Sequence, residues 1–263
     1  MADVRGLERF RAHFSGHDGA YVLIGGIACH EWLAERRLTF RATKDMDMVL
    51  ILEALTPAFV RHFWAFVRAG GYTVAQRSEG GRVYFRFKHP SQADYPYTLE
   101  LFARQPDGLT LDPGQVAVPI AADEEASSLS AILMDDDYYR LILGNRTLLH
   151  GLPVVKPEAL IALKARAWRD LARRRAEGHH VDTGEITKHR NDIFRLVLLL
   201  DENGQTALPP AIKADVQALA DAHPADSADW PAIQTSLKST IRQPPPAAAQ
   251  LKRLTDHFGL AVP

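Results

Sequence analysis

The chain has 263 residues, 46% hydrophobic and 24% charged, enough to bury a core in one large domain or two modest ones. A formal net charge of −1 and a pI near 6.8 exclude a global polyanion-binding character, so any nucleic-acid surface has to be a local patch. A single cysteine, Cys29, excludes an intramolecular disulfide and a cysteine zinc site, and MADVRGLERF has no apolar h-region; with no long apolar run, the expectation is a soluble cytoplasmic protein without a membrane span.

LERFRAHF has apolar residues at helical spacing and predicts a short first helix. YVLIGG is an apolar run stopped by Gly25 and Gly26, a buried strand entering a tight turn, and IACHEWLAERR reads as the helix that follows. DMDMVLIL predicts the next strand. TPAFVRHFWAFVRAGG predicts a helix started by Pro57 and stopped by Gly70-Gly71. RVYFRFKH and YTLELFAR then read as strands joined by the loop PSQADYP. Strand, helix, strand, helix and adjacent strands argue for an α/β (α+β) layer structure with a mixed sheet.

Residues 105–150 are rich in turn formers, with weak strands expected at QVAVPI and YRLILGNRTLLH, the latter turning at Gly144-Asn145. From Lys156 the pattern is helical: KPEALIALKARAWRDLARRR, DTGEITKHRNDIFRLVLLL, alanine-rich helices broken by prolines, and a last helix, AAQLKRLTDHF, after the linker RQPPPAAAQ. The expected organisation is a sheet-containing domain over 1–150 and a helical domain over 151–263.

Asp45 and Asp47 raise the chemical question. Alternation along a strand points both to one face, roughly 7 Å apart at Cα, and points Met46 and Met48 to the other. Two like charges on a half-buried strand end require a cation. Either Arg41 or Lys44 neutralises them, or a divalent metal does. Magnesium suits the second case, since it takes one or two carboxylates and completes its shell with water and phosphate oxygens. Gly25-Gly26, between strand and helix, is a turn where a phosphate can approach the backbone, although a tight turn needs no ligand. Glu100 is the sole acid of the apolar strand YTLELFA. Beside the strand of Asp45 and Asp47 it would complete three converging carboxylates; on an edge strand it would be a solvated residue.

These residues together resemble the polymerase-beta-type nucleotidyltransferase superfamily: a strand ending in Gly-Gly, a helix, acid–hydrophobic–acid–hydrophobic, then an acid on a later strand. RATKDMD is similar to the Arg-x-Thr-Lys-Asp-x-Asp form of the AbiEii-type toxin nucleotidyltransferases, which include the MenT-like toxins of type IV toxin–antitoxin systems. KPEALIALKARAWR and KHRNDIFRLVLLL resemble that family's two C-terminal motifs, a Lys on one helix and Lys-x-x-x-Asp on the next. The resemblance runs from about residue 20 to 200; residues 205–263 carry none of its motifs. The spacer of eighteen residues between Gly26 and Asp45 is longer than the superfamily norm, so either the helix or the loop LTFRA is extended.

The resemblance implies a magnesium-dependent transfer of a nucleoside monophosphate from an NTP to an acceptor hydroxyl, with one or two Mg²⁺ ions. Asp45, Asp47 and Glu100 would be the metal-holding catalytic acids. Gly25, Gly26, Arg41, Thr43, Lys44 and Lys164 would bind the nucleotide, and Asp192 would orient Lys164. It names a tRNA 3′ end as candidate acceptor and a cognate antitoxin as candidate partner. A small-molecule or protein acceptor, or a non-catalytic nucleotide-binding module of the same fold, are the alternatives. The residues themselves also allow a plain ion pair: Lys164 interrupts the apolar ALIALKA, and Asp192 shares a helical stripe with Leu196 and Leu199.

Among the remaining features, Arg166, Arg169, Arg173, Arg174 and Arg175 form a basic run, either a solvated helix face or phosphate contacts for an RNA. His179-His180 and Asp135 to Asp137 read as loop residues, and Cys29 as a buried helix residue.

Overall fold

The computed structural model describes residues 4–76, 82–105, 117–120 and 129–263. They form two compact units, one over residues 2–28 and 42–155, the other over residues 29–41 and 156–263. The expected boundary at 150 thus stands beside an observed one at 155, and the short stretch 29–41 belongs with the C-terminal unit. Among the described residues no helix is long and apolar enough to cross a membrane.

The first unit is a mixed α/β structure. Its strands are β1 (Tyr21–Ile24), β2 (Asp45–Leu50), β3 (Thr73–Gln76), β4 (Arg82–Lys88), β5 (Thr98–Ala103), β6 (Ala117–Ile120), β7 (Leu129–Leu133), β8 (Arg146–Leu149) and β9 (Leu152–Val155). They join one sheet in the order β3-β4-β5-β2-β1-β9-β8, with β7 pairing β5 and β6. β2 runs antiparallel to β1 and parallel to β5, and β4 runs antiparallel to β5. β5 is therefore an interior strand, which removes the edge-strand account of Glu100.

One sheet face is closed by α1 (Leu7–Phe14) and α3 (Pro57–Gly70). Phe10 and Phe14 of α1 meet Tyr21 of β1 at ring separations of 5.6 and 5.7 Å, and Phe14 meets Phe66 of α3 at 5.3 Å. Register puts Met48 opposite Leu23 and Leu50 opposite Tyr21, so the buried Met46 and Met48 lie on this covered face. Apolar area removed from water here is the main force holding the strand that carries the two aspartates. α3 begins as its sequence reads: Thr56 caps it by accepting from the Phe59 N–H, and Pro57 follows.

One expectation fails. YRLIL is not a strand but the body of α4 (Asp136–Gly144), and Gly144-Asn145 ends that helix instead of turning a hairpin. Asp135 is the N-cap, accepting from the Asp137 and Tyr138 N–H groups, so the three aspartates start a helix. Five residues, four of them apolar or aromatic, are too few for their period to separate helix from strand, and the cap decided it. The hairpin of β8 and β9 turns instead at His150 (φ 51°) and Gly151 (φ 76°), both left-handed, as a two-residue turn between right-twisted strands requires. Of the weak strand expected at QVAVPI, residues 117–120 are β6, whereas Gln115 and Val116 lie, with the rest of 106–116 and with 121–128, outside the described residues.

The second unit is helical: α5 (Pro157–Ala176), α6 (Thr183–Val197), α7 (Pro210–Ala222), α8 (Trp230–Leu237) and α9 (Ala247–Phe258). Leu160, Ile161, Ile193, Phe194, Leu196, Val216, Leu219 and Leu254 are fully buried among them. α2 (Gly25–Glu35) starts in the first unit and continues into the second. It ends at Glu35, and the long spacer is taken up by irregular chain over 36–44.

Candidate functional site

On β2 the burial alternates as the sequence requires: Asp45 and Asp47 are half-buried, Met46 and Met48 buried. The parallel pairing with β5 aligns Asp45 with Thr98 and Asp47 with Glu100. Register partners on adjacent strands share a face about 4.8 Å apart, so Asp45, Asp47 and Glu100 stand on one side of the sheet. Leu99 and Leu101, like Met46 and Met48, go to the other, buried side.

The glycine corner meets this face. Gly25 has a φ of 64°, a backbone open to glycine at little cost, and a Cβ there would collide with the Asp47 carboxylate. A Cβ on Gly26 would collide with the Thr43 hydroxyl. The two glycines thus let Asp47 and Thr43 close against the start of α2. Lys44 is turned elsewhere, its ammonium over the Tyr97 ring at 4.9 Å.

Glu100 is already engaged. Arg86 on β4 is its antiparallel register partner, and Arg86 Nε lies 2.6 Å from Glu100 Oε1. No set of three or more His, Cys, Asp or Glu side chains converges as a metal-holding group among the described residues. The donor chemistry nevertheless fits the cation implied by the resemblance. Asp45 and Asp47 are two hard oxygen donors on one rigid face, and magnesium typically takes one or two protein carboxylates and fills the rest of its octahedron with water and phosphate.

In the helical unit a second cluster surrounds Asp192, which is fully buried. Arg41 grips it with two bonds, Nε to Oδ1 at 3.0 Å and Nη2 to Oδ2 at 2.7 Å. Lys164 Nζ donates to Oδ2 at 2.9 Å and Arg195 Nη1 to Oδ1 at 3.1 Å. Arg195 also donates to Thr240 Oγ1 and to the Ser236 carbonyl and hydroxyl, tying α6 to the α8 end of the unit. Three cations therefore share one carboxylate.

The electrostatics follow. Burial works against the Asp192 carboxylate, but Lys164 and Arg41 outweigh it and hold it well below the usual carboxylate range. Burial also opposes the Lys164 ammonium, yet Cys29 and Asp192 keep it protonated above the ordinary lysine value. Burial and the neighbouring Lys164 and Lys188 push His189 down to about 4, so its imidazole is neutral at physiological pH. Its Nδ1 is shielded from solvent without a hydrogen-bond partner.

Several of the other candidates are engaged in ion pairs or buried. Arg166 and Arg169 of the basic run pair with the buried Asp215 of α7 at 3.5 and 2.7 Å, and Arg173 pairs with Glu177 at 3.0 Å. Lys188 pairs with Glu185, not Asp192. His179 follows the end of α5, 3.8 Å from Glu177, and Cys29 is buried in α2. Sequence reasoning missed Arg86, Arg195 and His189. Arg195 could have been found three residues after Asp192 on the same helix. Arg86 could not, because nothing local announces which strand lies beside Glu100. Compared with models of known protein families and with curated proteins, the chain matches none.

Proposed function

We propose that the chain is a magnesium-dependent nucleotidyltransferase with the polymerase-beta-type fold, moving a nucleoside monophosphate from an NTP to an acceptor hydroxyl and releasing pyrophosphate. The observation that carries this reading is the register that sets Asp47 beside Glu100, with Asp45 on the same face and the Gly25 corner against Asp47. Magnesium held by Asp45 and Asp47 would supply charge neutralisation at the attacked phosphoryl group. Glu100 would take the proton of the attacking hydroxyl as the bond to the α-phosphorus forms and the bond to pyrophosphate breaks. The backbone at Gly25 and Gly26, with Thr43 against Gly26 and Lys44 next to Asp45 in the chain, would orient the nucleotide. Lys164 is the residue the resemblance assigns to the triphosphate, and in the helical unit it shares Asp192 with Arg41 and Arg195.

The resemblance favours a tRNA 3′ end as acceptor and a cognate antitoxin as partner, in the manner of a type IV toxin; small molecules and proteins are the alternative acceptors. A reading from another class, a non-catalytic nucleotide-binding or interaction module, is favoured by the Arg86–Glu100 pair, which occupies the third acid. One experiment separates them. The whole chain is incubated with Mg²⁺, each NTP labelled at the α-phosphate, and total RNA, protein or small-molecule pools. Label in an acceptor is expected, and Asp47→Asn is expected to slow its transfer about 10²–10³-fold, the loss of several kcal/mol of charge stabilisation. No label in any pool, together with undiminished NTP binding by Asp47→Asn, would leave the module.

A further inference from the structure

Arg86 has no part in the sequence pattern, yet it stands in line with the acids. β4 pairs with β5 so that Arg86 faces Glu100 and Lys88 faces Thr98, while β5 pairs with β2 so that Glu100 faces Asp47. Asp47, Glu100 and Arg86 thus form one row across three adjacent strands, their side chains on the same sheet face. Within the row the guanidinium reaches inward, with Nε 2.6 Å from Glu100 Oε1 and itself shielded from solvent. The Glu100 side chain is 19% exposed and that of Arg86 39%, so the pair is partly desolvated and still open to exchange with a solution ion.

We infer that Arg86 is the resident counter-ion of the acid row: it holds Glu100 when no divalent cation is bound, competes with the cation for that carboxylate, and so sets the cation affinity of the site. The inference rests on the reading that Asp45 and Asp47 hold a divalent cation. Three carboxylates on one face repel one another, and a cation relieves the repulsion whether it is a guanidinium or a metal. A Glu100 oxygen within 2.6 Å of Arg86 is committed to the first. Removing Arg86 returns that oxygen, and its uncompensated charge, to the metal. Arg86 acts here through Glu100 and is a positioning residue.

The test is Mn²⁺ binding, followed by the loss of the free-ion paramagnetic signal, on the whole chain at low ionic strength without nucleotide. Arg86→Gln is expected to bind Mn²⁺ about fivefold more tightly than wild type, the worth of one partly exposed charge pair. Arg86→Lys, which keeps the charge, is expected to stay near wild type. In an Glu100→Gln background the gain from Arg86→Gln is expected to vanish. Affinity unchanged or weakened in Arg86→Gln overturns the inference. So does an equal gain with Glu100→Gln, which would mark the field of Arg86 and not its hold on Glu100. Wild-type Mn²⁺ binding that Asp47→Asn abolishes keeps the underlying reading intact in either case. Absence of binding in every variant overturns both. Circular dichroism of the metal-free variants checks folding, and Arg86→Met, which retains the aliphatic stem, carries the same expectation should Arg86→Gln misfold.

Discussion

Asp192 governs the buried charge of the helical unit. It lies within bonding distance of three cations, Arg41, Lys164 and Arg195, and the last two are nearly as buried as it is. Asp192→Asn strands those cations, and the expected loss of stability is about 3–5 kcal/mol in urea unfolding. The same residue sets a pH window. Its carboxyl is held below the usual range in the folded protein, so its contribution is whole above the unfolded pKa of about 3.9 and is lost as pH falls further. Acid titration of the unfolding free energy is expected to show that loss in wild type and not in Asp192→Asn. Gly25 poses the opposite case, a residue whose importance is absence. Gly25→Ala puts a methyl where the Asp47 carboxylate lies and forces a left-handed backbone. The expectation is a cost of about 1–2 kcal/mol from the backbone and, in the same protein, weakened Mn²⁺ binding as Asp47 is displaced. At this scale much was legible: an acid or a lysine inside an apolar run is conspicuous wherever it falls. The partners were less so, since Arg41 lies 151 residues from Asp192.

Elements were legible where their period was long. The first helix, β2, α3 and the long α5 and α6 follow from spacing and caps, and β1 from a short apolar run that is buried at all four positions. α4 escaped because five residues cannot display a helical period, although Asp135 carried the information as its cap. The turn that does make a hairpin, His150-Gly151, needs two left-handed residues. A Cβ on Gly151 would approach nothing nearer than Arg11 Cδ at 3.9 Å, so the penalty of Gly151→Ala is the backbone alone. Thermal unfolding is expected to register about 1 kcal/mol, with Mn²⁺ binding untouched, which separates this glycine from Gly25.

At the scale of the molecule, the helical unit is built from two stretches of chain that lie far apart in sequence. Residues 29–41 bring the buried Leu33 and Phe40 and the Arg41 grip on Asp192 to helices that begin at Pro157. A fragment of residues 156–263 lacks all three. Its helical circular dichroism is expected to fall short of the unit's in the intact chain and to recover when a peptide of residues 25–41 is added. Full helicity without the peptide would show the segment to be dispensable. By its own period and composition the sequence determined the α/β class, the strand that carries Asp45 and Asp47, their common face, and the helical character beyond Lys156. These are local properties, written within a few residues of one another. The tertiary structure alone decided that Glu100 stands beside Asp47, that Arg86 takes Glu100, and that Arg41 and Arg195 join Lys164 on Asp192. Each of those depends on strand register or helix packing between distant stretches, and register is set by the summed burial of whole elements, not by the charged residues that the register brings together.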